Sequence, residues 1–567
     1  MNLITTSKLA KKAPRMGQGL YYDPLYGYIP VRNELRQIID SEVFQRLRGI
    51  KQLSTLYLVY VGANHTRFEH SIGVSYLAGI VHDRLIESLG NSPKNGILKG
   101  VQLNEITRIV AQLTGLLHDI GHGPFAHVFE MYCKRVKTTD VWNHEKWGRR
   151  LITGKDENGN IITSNPLFQQ IPDYLRKLKK YFSKDYSGHP TLDLLDPENI
   201  ANLCFDLPPK LKTDEHSNRY FFLRDIVTSP FGVDRLDYLR RDAFYTGVKT
   251  GDIDIWEIIR NLQLNEYIDA EDGKNKIHLF INPSAAISIE ALFSSRDIVY
   301  RKIYHNAISR SAQELIIRGL MVLEKDPENI AFLSDNDLLN LFRTSNNEFA
   351  KEVEERMRYR LLYELHPICT FEEIHHDLKE LEFIESDIKR ADFYLKEQKI
   401  GENANIENDR LIFYDIESVP AIKRSDLEWP MFYDKIQQKA LNIFDLQPNL
   451  RTIYDGELIK GLSKIENYKN QVSKVYVCFP LEHIDLSLNN LVENDPSSEK
   501  DVDTEIEKIY TEKLESLIID FFCNILGWER DKINSNKAKK QLIESNKKRL
   551  ISYLKDIYWI KKHIWLK

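Results

Sequence analysis

The chain has 567 residues, 42% of them hydrophobic and 28% charged, with a formal net charge of −5. That length holds two to four domains or one large core with appendages, and that charge balance excludes a global polycation, so any nucleic-acid surface must be local. The five cysteines, Cys133, Cys204, Cys369, Cys478 and Cys523, are scattered with no CxxC, which argues against a disulfide framework and a cysteine zinc site; no signal-peptide core and no apolar run of about 18 residues is present, so the expectation is a cytoplasmic protein without a membrane span.

Residues 1–19 are polar and basic and read as a flexible lead-in. YYDPLYGYIPV then predicts a short hairpin around Asp23-Pro24 and Gly27. NELRQIIDSEVFQRLRGIKQL predicts a helix with Leu35, Ile38, Ile39, Phe44, Leu47 and Ile50 inward and Asp40 or Ser41 as an internal cap. From His70 a long amphipathic helix carries Ile72, Tyr76, Leu77, Ile80, Val81 and Leu85. His82 lies twelve residues beyond His70, a turn of about 120° at 100° per residue, so the two cannot serve one site. Arg67 stands where a cation would meet an anionic substrate, although an isolated arginine is more often an ion-pair residue.

The densest stretch is Leu113–Glu130, LTGLLHDIGHGPFAHVFE. Ile106, Ile109, Val110, Leu113, Leu116 and Leu117 at helical spacing predict a buried helix face whose end presents His118 and Asp119. Gly121 is placed to terminate that helix, and Pro124 to open the next, where His127 and Glu130 share a face. Adjacent His-Asp also occurs at His82-Asp83 and His376-Asp377, so the dipeptide alone decides nothing. Further on, His144 sits between two tryptophans, residues 155–190 read as a polar surface excursion, and VDRLDYLRRD places Tyr238 and Asp242 on one helical face.

RFEH, LLHDIGHGPFAH, WNHE and VDRLDYLRRD, with DPLYG and FQRLRGIKQL, resemble in consistent order over about residues 20 to 320 the SAM-and-HD-domain deoxynucleotide triphosphohydrolases and their bacterial dGTPase relatives. The resemblance implies a mainly α fold, an HD-domain helical core with short hairpins. It implies one divalent metal on His70, His118, Asp119 and Asp234, leaving His82 as a helix-surface residue; imidazole and carboxylate donors suit Mn, Fe or Zn, and Mg is also allowed. It places His122, His127, His144 and the acid Glu130 in the catalytic pocket. Gln52 and Leu53 correspond to deoxyribose contacts, Tyr238 and Asp242 to the pair that reads the 3′-hydroxyl, and Arg67, Arg235 and Arg296 to triphosphate contacts. Tyr304 corresponds to the aromatic that crowds the sugar 2′ position, and His305 replaces a glutamine near the base. For the proton donor, His127 with Glu130 has the helical spacing, with His122 and His144 as alternatives.

Asp40 and Arg48 match a guanine-reading regulatory site of the family, so a nucleotide effector bound in a homo-oligomer, dimer or tetramer, is an expectation. Trp256, Ser284 and Ser288 stand where neighbouring regulatory contacts are basic or amide, which weighs against it. Beyond residue 320 the resemblance fades into helical patterns, with the core taken to residue 400. Residues 401–491, with KVYVCFPL from Lys474, read as a smaller α/β extension, 492–504 as a linker, and 505–567 as a helical, basic segment. From Asp531 to Lys567, eleven Lys or Arg face three Asp or Glu; docking through Leu550, Leu554, Ile557 and Ile564 is favoured over nucleic-acid binding.

The reading is a metal-dependent enzyme releasing deoxynucleoside and triphosphate from a dNTP. Its rivals are an HD-type phosphodiesterase or nuclease, and a catalytically silent nucleotide sensor.

Overall fold

The computed structural model describes residues 19–362 with breaks at 91–100, 137–142, 269–274 and short breaks at 206, 213, 251–252, 305 and 324, together with strands and helices beyond. The chain opens with an antiparallel hairpin, β1 (Gly19–Asp23) and β2 (Gly27–Val31). Its turn forms because Asp23 Oδ1 accepts the amides of Leu25 and Tyr26, at 2.8 and 3.2 Å, and Gly27 takes φ +71°. The single helix expected after it is broken into Asn33–Ile39, Glu42–Gln45 and a 3₁₀ turn at Arg46–Gly49. Ser41 is the cap that breaks it, its hydroxyl accepting the Phe44 amide.

Two long helices form the centre. Arg67–Gly90 lies against Glu105–Leu117, the latter started by a reciprocal capping box between Asn104 and Thr107. Ile106, Ile109, Val110, Leu113, Leu116 and Leu117 are fully buried, as their spacing predicts. His82 is corrected: it is not a surface residue but fully buried, its Nε2 2.8 Å from the Thr107 hydroxyl. The helix Val233–Thr246 packs against Arg67–Gly90. Residues 155–190 are likewise no polar excursion; the helix Gln170–Phe182 buries Ile171, Leu175, Leu178 and Phe182, and Leu167 and Phe168 are buried just before it.

Strands β3 (Leu262–Ile268) and β4 (Asn275–Ile281) form an antiparallel pair that the sequence reading passed over. After the helices Ala286–Val299, Ala307–Leu323, Asp335–Arg343 and Glu348–Tyr359, five further strands appear: β5 (Glu364–Thr370), β6 (Phe413–Glu417), β7 (Phe432–Asp434), β8 (Lys439–Leu441) and β9 (Lys474–Phe479). The strand expected at Lys474 is present, in the stretch read as an α/β extension. Its strands β7 and β8 join the sheet begun by β3 and β4, in order β3-β4-β7-β8, and β9 lies between β5 and β6. His375, His376 and Asp377 lie outside the described residues.

The stretch 492–504 is mostly helical rather than a linker: Glu482–Asn494 and Glu499–Lys513 are helices, with only 495–498 between them. The C-terminal helix Lys537–Ile560 buries Leu550, Leu554 and Tyr558 and packs against both; Ile557 is half-buried and Ile564 lies outside the described residues. Lys547 and Lys555 pair with Glu507 and Asp503, each at 2.6 Å. Among the described residues no helix is long and apolar enough to cross a membrane.

Candidate active site

Three helices deliver the principal polar residues to one place. The first turn of Arg67–Gly90 carries Arg67 and His70, the C-terminal end of Glu105–Leu117 presents His118 and Asp119, and the first turn of Val233–Thr246 carries Asp234. His70 Nε2 lies 3.3 Å from His118 Nε2, 3.0 Å from Asp234 Oδ1 and 3.6 Å from Asp119 Oδ2. His118 Nε2 lies 3.5 Å from Asp234 Oδ1 and 3.6 Å from Asp119 Oδ1. These are ligand-to-ligand separations expected around one divalent ion bound at about 2.0–2.2 Å. The other ring nitrogens are already used: His70 Nδ1 donates to Asp237 Oδ2 at 2.7 Å and His118 Nδ1 to the Gly115 carbonyl at 2.8 Å. Both Nε2 lone pairs therefore point inward, the tautomer a metal ligand needs. The donor set fits a divalent metal.

Asp237 was missed by the sequence reading, although its spacing of four from Arg241 signalled a helical ion pair. Arg241 grips it at 2.8 and 2.9 Å and reaches back to Asp23 of the hairpin turn at 2.8 Å. All three are buried. Burial resists ionisation of Asp237, yet Arg241 and His70 hold its carboxyl well below the usual range. Gly73 makes room for this pair, since a Cβ there would stand 2.2 Å from Asp237 Oδ1. For His70, burial opposes the charged form, but the hydrogen bonds to Asp234 and Asp237 outweigh it and raise its pKa to about 10 in the metal-free protein.

Beside the four donors, Arg67 donates through Nη1 to Asp119 Oδ2, and His122 Nε2 is 3.3 Å from Asp119 Oδ1. His122, His127 and His144 gather around Glu130: His127 Nδ1 donates to Oε2 at 2.9 Å, while the His144 Nδ1 and backbone amide both reach Oε1, the amide at 2.8 Å. Burial works against the Glu130 anion, and the two histidines nonetheless keep it far below the usual carboxylate range. His122 stacks on His144 at 4.1 Å between centroids. It is held neutral by burial first, then by the charges of Arg67 and His144.

The connecting loop departs from expectation. The helix ends at Leu117, and Gly121 serves close approach: a Cβ there would stand 1.9 Å from the His144 carbonyl. Pro124 does not open a helix; Phe125 and Ala126 take left-handed φ of 55° and 52° before the helix His127–Val136 starts. Two residues that no local pattern revealed, buried Asp335 and half-buried Arg46, hold this loop. Asp335 Oδ1 accepts the Phe125 amide at 2.6 Å and its Oδ2 accepts the Lys51 amide at 2.9 Å. Arg46 binds the carbonyls of His122 and Ile120 at 2.6 and 2.8 Å.

The remaining predicted residues flank the centre. Asp242 is buried and accepts from the Tyr304 hydroxyl. Tyr238 is half-buried, with Arg235, Tyr300 and Arg296 as its charged and aromatic surroundings. Arg235 Nη1 donates to the Pro230 carbonyl at 2.8 Å, and Arg296 is buried with its guanidinium 5.4 Å from the Tyr300 ring centroid. The backbone N–H of Gln52 donates to the His65 carbonyl at 3.0 Å, and Leu53 is buried. His305 lies outside the described residues. Asp40 is 3.6 Å from Arg36, and Arg48 bonds Gln45 at 2.8 Å over the Phe68 ring.

Residues 67–189 match the HD domain, and residues 253–431 match an HD-associated region. An uncharacterised protein of Methanocaldococcus jannaschii is 29% identical over 359 residues, 62% of each chain. The deoxynucleoside triphosphate triphosphohydrolase SAMHD1 of Bos taurus is 26% identical over 379 residues, 61% of this chain and 59% of its own. The uncharacterised protein YwfO of Bacillus subtilis is 30% identical over 303 residues, 53% of this chain and 55% of its own. The chain thus spans less than two thirds of the length of these relatives. These matches set an HD domain around the His118-Asp119 pair and make the chain similar to SAMHD1 over 61% of its length.

Proposed function

We propose that this chain hydrolyses deoxynucleoside triphosphates to deoxynucleoside and inorganic triphosphate. One observation carries the reading: beside the four converging donors of His70, His118, Asp119 and Asp234, buried Asp242 stands two helical turns beyond Asp234 and accepts the hydroxyl of half-buried Tyr304, an arrangement suited to reading a sugar. A general phosphodiesterase acting on a polymer has no need of a closed sugar pocket.

A divalent ion on those four donors would polarise the α-phosphate and lower the pKa of an attacking water. The chain's own groups do the rest. Arg235 and Arg296 meet the triphosphate and fix its register, and Arg67 brings positive charge to the same end of the site while braced on Asp119. Water adds its oxygen to the α-phosphorus and gives up a proton to solvent, the bond from phosphorus to the 5′-oxygen breaks, and that oxygen takes a proton from an imidazolium, which solvent then reprotonates. His122 is kept neutral and does not supply it. His127 and His144 remain, both hydrogen-bonded to Glu130, which fixes the orientation of their rings. His127 is 66% exposed and is the more accessible to an incoming substrate.

We assign nucleotide activation to the cluster of Asp40, Gln45 and Arg48, in a homo-oligomer; the stacking of Arg48 on Phe68 leaves a flat cationic platform suited to a base. The nucleic-acid reading draws less support, because Lys547 and Lys555 of the basic helix are already paired with acids of its neighbour. Triphosphate release from each dNTP in the presence of Mn²⁺, against an Asp234→Ala control, tests the proposal. Cleavage of single-stranded DNA or RNA with no release from any dNTP would replace it with the nuclease reading.

A further inference from the structure

The sugar pocket has a hub that none of the expected site residues accounts for. His65 is 1% exposed and lies two residues before Arg67, outside the helix that carries His70. Its Nε2 is 2.8 Å from Asp242 Oδ1. The other oxygen of the same carboxylate accepts the Tyr304 hydroxyl, so both oxygens of Asp242 are engaged, one by each partner. The backbone carbonyl of His65 accepts the backbone N–H of Gln52 at 3.0 Å. One residue thus touches Gln52 and Asp242 directly and Tyr304 through Asp242.

The ring itself is fixed. It stacks on Tyr245 with centroids 4.4 Å apart and planes 14° from parallel, and Tyr245 in turn donates to Glu69 at 3.0 Å. His65 Nδ1 is buried with no hydrogen-bond partner. A proton on Nδ1 would have no acceptor, whereas a proton on Nε2 reaches the Asp242 carboxylate, so the Nε2–H tautomer is selected. The imidazole is a rigid donor aimed at one oxygen. A buried carboxylate deprived of one of two donors would turn about its own bond, and the Tyr304 hydroxyl it holds would turn with it.

We infer that His65 is the positioning residue for sugar discrimination: by fixing Asp242 it fixes Tyr304, and so couples recognition of the 3′-hydroxyl to exclusion of a 2′-hydroxyl. The inference rests on the dNTP reading of the pocket. His65 touches neither the reacting atoms nor the metal donors, and its effect passes entirely through Asp242.

The test compares wild type with His65→Phe, which keeps the ring stacked on Tyr245 but removes the donor, and His65→Gln, whose amide nitrogen reaches about as far as Nε2. The readout is kcat/KM for dATP and for ATP, with bound Mn²⁺ and melting temperature as controls. The expected result is a fall in the dATP-to-ATP ratio of about tenfold to a hundredfold in His65→Phe, the range for losing one hydrogen bond to a charged group, with His65→Gln recovering most of it. A merely structural role would lower both rates together and leave the ratio unchanged, which would overturn the inference while the dNTPase reading stands. Should His65→Phe fail to fold, the ratio in His65→Gln against His65→Leu decides in the same way. A wild type that releases triphosphate from no dNTP overturns both.

Discussion

Asp335 offers the sharpest test of how the loop is built. It is 3% exposed, and its two oxygens accept amides from segments 284 and 210 residues away, Lys51 and Phe125. Lys51 precedes Gln52 and bridges to Thr66, while Phe125 begins the left-handed pair beside the histidine cluster. Replacing Asp335 by Ala strands the buried Phe125 N–H at about 1–3 kcal/mol and the half-buried Lys51 N–H at less, so the loss should be about 1–4 kcal/mol. Asp335→Asn keeps one acceptor and turns an amide against the other donor, so it should fall between. Burial raises the Asp335 carboxyl from 3.8 to about 6. The folded state therefore binds this proton more tightly than the unfolded state, and the linked stability is full below pH 3.8 and lost as the pH rises through about 6. The destabilisation by Asp335→Ala should accordingly be larger at pH 5 than at pH 8. Urea unfolding at the two pH values, at constant slope, measures it. Asp335→Ala within about 0.5 kcal/mol of wild type at both would refute the bracing role.

Three further outcomes follow from the site. Asp237→Asn should weaken metal binding about 10- to 100-fold by loosening the orientation of His70, as read by metal titration; unchanged affinity would remove Asp237 from the ligand support. Metal uptake should release protons, because His70 is raised to about 10 when the site is metal-free. By the same shift, the stability that His70 lends the metal-free protein is full below pH 6.5 and lost as the pH rises through about 10. Calorimetry in buffers of different ionisation enthalpy would show no proton release if this were mistaken. Glu130→Gln should lower the hydrolysis rate about 10²- to 10⁴-fold, the usual range for acid–base support, with metal content unchanged; lost metal would assign Glu130 to the wrong centre.

The parts of the site that the sequence showed are those written locally. His118, Asp119, His127 and Glu130 sit at the ends of elements whose apolar periodicity is clear, and burial of the Glu105–Leu117 helix follows that pattern. His70 lies beside His118 and Asp234 while His82 is spent on Thr107 in the core, a difference that helical spacing does not contain. Residues 155–190 were misread because counts of polar residues masked the spacing of Ile171, Leu175, Leu178 and Phe182. Gly121 was read as a helix stop when its task is to let the His144 backbone approach. Asp335, Arg46 and His65 were invisible because each acts across more than seventy residues on a backbone or side-chain group that no short window contains.

The most direct measurement is triphosphate release from purified protein with Mn²⁺ and each dNTP, singly and mixed, beside Asp234→Ala. The account predicts release by wild type and none by Asp234→Ala, with release confined to mixtures if the Asp40 and Arg48 cluster binds an activator. Equal release by both proteins would contradict the metal assignment, and silence of wild type on every dNTP, single or mixed, would contradict the proposed activity itself.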